Sequence, residues 1–245
     1  MAAVPDHSMT IQHLPARRAW RWCLDGLGLW RCFPLRLFLL CLLPIVLEGA
    51  LQWIPLAGML LSKILPPLLG FGVLQGLAWS ESSGALRWSS PFRLWRRGRL
   101  LPALGLALIC GPAVVAVQLV GVAALHGWPA VDAVLLGHAA AHRELMTRAF
   151  TCLLILPGIP AAVLLGLAPM YLLSRDASPW QAIRCSVRTV WRWRAAFGLY
   201  ASVQLVLVGC ALVTPFGIVL VLPLLPWMTA SSYAAWKDID AVSLA

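Results

Sequence analysis

Charge is scarce in this chain. Only 11% of its 245 residues are Asp, Glu, Lys or Arg, where a soluble domain carries about 25%. Carboxylates are the scarcer sign, nine against nineteen basic residues. Lysine is nearly missing, with Lys63 and Lys237 its two instances. So few carboxylates, mostly scattered in links, leave paired-carboxylate catalysis little to work with. The seven cysteines form no C-x-x-C and are odd in number. They read as small apolar fillers with free thiols, neither a disulfide framework nor a metal ribbon. G-x-S-x-G, Walker and G-x-G-x-x-G patterns are absent, so the common nucleophile and phosphate loops have no foothold. Asp25-Gly26 opens like a phospholipid-synthase metal motif, but the later aspartates are missing. No enzyme activity and no cofactor are expected. Residues 1–15 lack an apolar core, so they read as a flexible cytoplasmic tail and not as a signal peptide.

Apolar residues fill the space that charge leaves. They make up 61% of the chain, and mean hydropathy is +0.84. Lipid must be the solvent for most of that surface. Six apolar runs, at 35–53, 55–78, 100–125, 149–173, 197–213 and 215–235, each come near the ~20 residues that cross a hydrocarbon core. The expectation is an all-α polytopic membrane bundle of about six transmembrane helices plus interfacial amphipathic helices. Residues 16–245 form one integral membrane domain in this reading.

The arginines then assign orientation. Arg17, Arg18, Arg21, Arg31 and Arg36 precede the first run. Arg87, Arg93, Arg96, Arg97 and Arg99 lie between the second and third. Arg175, Arg184, Arg188, Arg192 and Arg194 lie between the fourth and fifth. With Lys237, that places 16 basic residues on one side against Arg143 and Arg148 on the other. By the positive-inside rule both termini are cytoplasmic, in a bacterial inner membrane. Ten of the thirteen tryptophans fall at that inner boundary, where an indole keeps its N–H wet. The net charge of +10 is accounted for by anionic headgroups. Membrane lipids are the expected partners and nucleic acid is not. A protein partner or a second copy stays open.

The basic Trp-rich segment, outgoing run and returning run recur as three hairpin units. Each returning run carries a proline pair, Pro66/Pro67, Pro157/Pro160 and Pro223/Pro226. Proline removes a donor and clashes with the preceding turn, so those runs are expected to kink or open. Segment 16–34 is expected to lie along the headgroups, with Trp22, Leu29 and Cys32 turned toward lipid.

Few residues could carry chemistry. Glu48 and Lys63 sit inside runs, at depths of roughly 9 and 13 Å from the outer turn at 1.5 Å per residue. They are either a transport lining or an ion pair locking the first hairpin. Gln52, Gln75, Gln118 and Gln204 read as hydrogen-bonding glue between helices. His138 and His142 share a helix face at i and i+4, yet a zinc site needs a third ligand, so no metal is expected there. Arg17, Arg18, Arg21, Arg93, Arg96, Arg97, Arg188, Arg192 and Arg194 are the candidates for gripping anionic lipid.

The opening WRWCLDGLGLWRCFP, the proline-flanked first hairpin and the closing Tyr233, Trp236, Asp238 and Ile239 (Y-x-x-W-x-D-I) resemble a family of uncharacterised proteobacterial multi-span inner-membrane proteins. That resemblance implies the same topology and no known activity. The stretch 110–150 departs from it. The expected role is a non-enzymatic membrane interaction or envelope-support factor. The alternative is a small-molecule transporter or exporter with a midplane polar site.

Overall fold

The computed structural model describes residues 15–51, 53–54, 61–96, 98–135 and 147–244. The elements among them are all helical. In chain order they are α1 (Arg18–Cys32), α2 (Pro34–Leu51), α3 (Leu65–Ser83), α4 (Arg93–Arg96) after a 3-10 turn, α5 (Leu100–His126) and α6 (Trp128–Leu135). Then follow α7 (Arg148–Ile155), α8 (Gly158–Leu165), α9 (Ala168–Ser174), α10 (Pro179–Arg192), α11 (Arg194–Val213) and α12 (Gly217–Leu244). Five stretches are long and apolar enough to cross a membrane: α2, α5, the run Arg148–Ser174, α11 and Val219–Val242 of α12. The sixth expected run, 55–78, lies partly outside the described residues. Its helix α3 runs on through Ser80, Glu81, Ser82 and Ser83, which lowers its hydropathy. It is also deeply wrapped, with Leu68, Leu69, Phe71, Val73, Leu74 and Leu77 buried.

Three there-and-back excursions start from one end of the molecule. Arg36 at the start of α2 donates to the carbonyl of Leu86 just beyond α3, at 3.1 Å. Arg99 before α5 pairs with Asp176 just beyond α9. Arg175, in the link before the third excursion, donates to Asp240 near the end of α12, and Arg18 at the start of α1 pairs with Asp238 beside it. The start of α1 and the end of α12 therefore lie at the same end of the bundle.

The proline-bearing returns behave differently from one another. The first leaves helix at a turn over 63–64, and Pro66 and Pro67 fall in the first turn of α3, where a missing N–H costs nothing. The second breaks twice, into α7, α8 and α9, because Pro157 and Pro160 act together with Gly158 and Gly166. The third, α12, stays helical through Pro223 and Pro226. Its prolines sit among Val, Leu and Trp, with no glycine beside them to loosen the turn.

Helix α1 corrects the sequence reading. Its apolar stripe Ala19, Trp22, Cys23 and Gly26 is buried against α12 and α11, so Trp22 does not face lipid. Gly26 permits the contact: a Cβ there would lie 2.6 Å from the Ser231 Cα. Trp22 meets Phe197 at 5.0 Å and Tyr200 at 6.0 Å between ring centroids. One core runs from α1 through α3, α5, α9 and α10 to α11 and α12.

Candidate functional site: the arginine-rich end

The last turns of α12 act as a hub for all three basic segments. Asp238 accepts from Arg18 and, at 2.8 Å, from the indole N–H of Trp22. Lys237 donates to Glu81 of α3 at 2.7 Å. Arg175, beyond α9, donates to Asp240 at 2.6 Å. Arg99 joins the second and third segments by pairing with Asp176 and donating to the carbonyl of Leu173, one of the acceptors a helix end leaves open. Each exposed pair is worth about 0.2–1 kcal/mol. Their effect is to hold the segments in register more than to stabilise the bundle. Below the hub, Tyr233 is buried and stacks on Trp236 at 6.1 Å. Trp227 donates to the carbonyl of Cys23 at 2.9 Å. Burial in this α1–α12 seam pushes the Cys23 thiol up to about 11.

Of the Y-x-x-W-x-D-I residues, Asp238 belongs to the hub and Tyr233 and Trp236 stack beneath it. Glu81, Asp176 and Asp240 were not picked out from the sequence. The signal was the scarcity of carboxylates: acids placed within arginine-rich segments at helix ends have cations on every side.

Around the hub, arginines point outward. Arg17, Arg21, Arg31, Arg184, Arg188, Arg192 and Arg194 are exposed. Arg184, Arg188 and Arg192 repeat every fourth residue along α10, which lines them along one face. That helix is fixed from below by Ser186 donating to the Leu164 carbonyl at 2.7 Å and by Thr189 meeting the Tyr171 hydroxyl at 2.8 Å. Arg93 and Arg87 both sit over the ring of Trp79, at 4.2 and 4.3 Å. Arg18 is turned inward, engaged by Asp238. Arg96 belongs to α4, but its side chain, all of Arg97, and His138 and His142 lie outside the described residues. Among the described residues no group of three His, Cys, Asp or Glu could hold a metal ion.

No family model, curated protein or solved structure matches this chain. The site therefore rests on its own geometry.

At the far end of the first hairpin, Lys63 donates to Glu48 at 2.5 Å, each side chain about one-third exposed. Lys63 sits in the turn before α3, and its carbonyl reaches the backbone of α5: a Cβ on Gly111 would lie 2.2 Å from that oxygen. The pair ties α2 to the start of α3. The glutamines are less uniform than expected. Gln204 is buried and Gln118 packs against Gly158. The carbonyl oxygen of Gln75 meets no hydrogen-bond donor among the described residues. Gln52 lies outside them.

Proposed function

We propose that this chain is a six-span inner-membrane protein whose arginine-rich end faces the cytoplasm and grips anionic lipid, serving as a non-enzymatic membrane interaction or envelope-support factor. The observation that carries the reading is the hub on α12. It gathers three separate basic, Trp-rich segments at one end and leaves Arg17, Arg21, Arg184, Arg188 and Arg192 outward. Each such cation near an anionic surface contributes about 1 kcal/mol. Exposed Trp20, Trp180 and Trp191 beside them suit the headgroup level. The test replaces those five arginines with glutamine and measures the preference for phosphatidylglycerol over phosphatidylcholine in mixed-lipid nanodiscs. The preference should fall several-fold, and an unchanged preference removes the reading.

A second reading, a transporter or exporter, is favoured by one feature. An intramembrane Glu48–Lys63 pair stands at a helix break, as polar linings of broken helices do in many transporters. Glu48→Gln and Lys63→Met variants that leave uptake, efflux and proton flux of vesicles unchanged would end it.

A further inference from the structure

Helix α10 carries Arg184, Arg188 and Arg192 at every fourth residue, all exposed. At 1.5 Å per residue, the gap between the first two and the gap between the last two are centred roughly 6 Å apart. The helix holds no Asp or Glu, and none of the three arginines joins an ion pair with a described residue. Like charges at this spacing repel along the row, so an anion in each gap is favoured. The chain contains its own contrast. From Arg17 into α1 the same spacing runs Arg17, Arg21 and Asp25, all exposed. A carboxylate stands there where α10 has its third cation. The α1 row therefore has one gap for an anion, and the α10 row has two.

We propose that the α10 row binds one lipid carrying two phosphates joined through a single glycerol, the chemistry of a diphosphatidylglycerol. The proposal rests on the lipid-gripping reading and deepens it by naming the anionic lipid that this face prefers. Two phosphates on the ends of one glycerol can enter both gaps together. Arg188 then serves both, with Arg184 closing one gap and Arg192 the other. A guanidinium offers several N–H donors in a planar fork, enough to meet two phosphates at once. Once the first phosphate is placed, the tether holds the second at high effective concentration. A lipid with one phosphate fills one gap and gains nothing from the other.

The row is held ready for such a ligand. Ala182, Ile183 and Ser186 are buried beneath it. Ser186 is anchored on the Leu164 carbonyl under the first gap, and Thr189 on the Tyr171 hydroxyl near the second. Arg184 lies over the Trp180 ring at 6.0 Å and Arg192 over the Trp193 ring at 5.6 Å. A platform ordered before binding loses less freedom on binding. Trp180 and Trp191 are 59% and 69% exposed. They lie about three turns apart, so they share one edge of α10, beside Arg184. Indole rings favour the headgroup level. That edge makes a bilayer lipid the occupant, and not a soluble bisphosphate.

The experiment places the full chain in phosphatidylcholine nanodiscs holding phosphatidylglycerol and diphosphatidylglycerol at equal phosphate content. Lipid retained after exchange into detergent is counted by native mass spectrometry. Wild type should keep one diphosphatidylglycerol in preference to phosphatidylglycerol by about tenfold, the worth of one added charge-assisted hydrogen bond. Arg188→Gln removes the cation that both gaps share and should erase that preference. Arg188→Gln combined with Cys185→Arg returns the charge at a neighbouring exposed position but breaks the spacing, and should erase it equally. Arg21→Gln removes an equal charge from α1 and should leave the preference within about twofold.

Equal retention of the two lipids by wild type, or of neither, overturns the two-gap row. A preference that survives Arg188→Gln overturns it as well. Recovery of the preference in the double variant, or its loss in Arg21→Gln, makes diffuse charge the cause and overturns the row too. The broader reading fails separately. If replacing the five outward arginines lowers the preference for phosphatidylglycerol over phosphatidylcholine while wild type shows none for diphosphatidylglycerol, lipid gripping stands and only the row falls. If neither preference is seen, both fall.

Discussion

Gly26 and Gly28 stand one residue apart on the same helix and face opposite fates. A Cβ on Gly26 would lie 2.3 Å from the Ser231 Oγ and 2.6 Å from its backbone, whereas one on Gly28 meets nothing within 4 Å. Gly26→Ala should lift α1 from α12 and destabilise the protein by about 1–3 kcal/mol. Gly28→Ala should be neutral or gain up to about 1 kcal/mol of helix propensity. Thermal unfolding in nanodiscs separates the two, and equal melting points would refute the close α1–α12 contact. Cys23 reports on the same seam. With its thiol pushed up to about 11 by burial, roughly one in a thousand is thiolate at pH 8. Alkylation of Cys23 should be negligible there and climb with pH toward 11, while exposed Cys32 and Cys185 react at pH 8. Fast labelling of Cys23 at pH 8 would mean α1 is not seated. The sequence could not separate Gly26 from Gly28, since each looks like a glycine in an amphipathic helix. What distinguishes them is a partner more than two hundred residues away.

Among the helices, α10 is the one whose ends are written most plainly. Ser178 accepts from the Gln181 N–H at 3.3 Å, and the Gln181 side chain accepts from the Ser178 N–H at 3.1 Å, a reciprocal cap. Ser178→Ala should cost about 1 kcal/mol and speed hydrogen exchange in the first turn of α10, leaving α11 untouched. Unchanged exchange there would show that packing alone holds the helix. The apolar runs, the basic links and the amphipathic character of α1 and α10 were all legible, because hydropathy and charge are local properties. The direction in which an amphipathic helix turns its stripe was not. Trp22 reads equally well against lipid or protein until Phe197 and Tyr200 are brought to it. Nor was the difference between broken and continuous proline runs legible from the prolines alone. It depends on Gly158 and Gly166 loosening one run, and α12 has no counterpart near Pro223 and Pro226. The Glu48–Lys63 pair was foreseeable from depth counting, since both lie near one turn of one hairpin.

For the molecule as a whole, the contacts of Arg36 with Leu86, Arg99 with Asp176 and Arg175 with Asp240 bring each excursion back to the end it leaves from. This holds whether or not α3 is apolar enough to count as a span by itself. It predicts an alternation that labelling can read. Cys185 is exposed on α10 at the arginine-rich end, and Phe216 is 72% exposed just past the far end of α11. The 20 residues of α11 between them span about 30 Å, the thickness of a hydrocarbon core. Single-cysteine variants, one keeping Cys185 and one carrying Phe216→Cys, should therefore react with a membrane-impermeant maleimide from opposite sides. In inverted vesicles Cys185 should label and Phe216→Cys should not, and in right-side-out vesicles the pattern should reverse. Labelling of both from one side would mean that α11 does not cross, and the three-hairpin membrane reading would fall with it. Opposite sides with the polarity exchanged would keep the hairpins but place the arginine hub outside the cell, removing the anionic inner leaflet as the surface it grips.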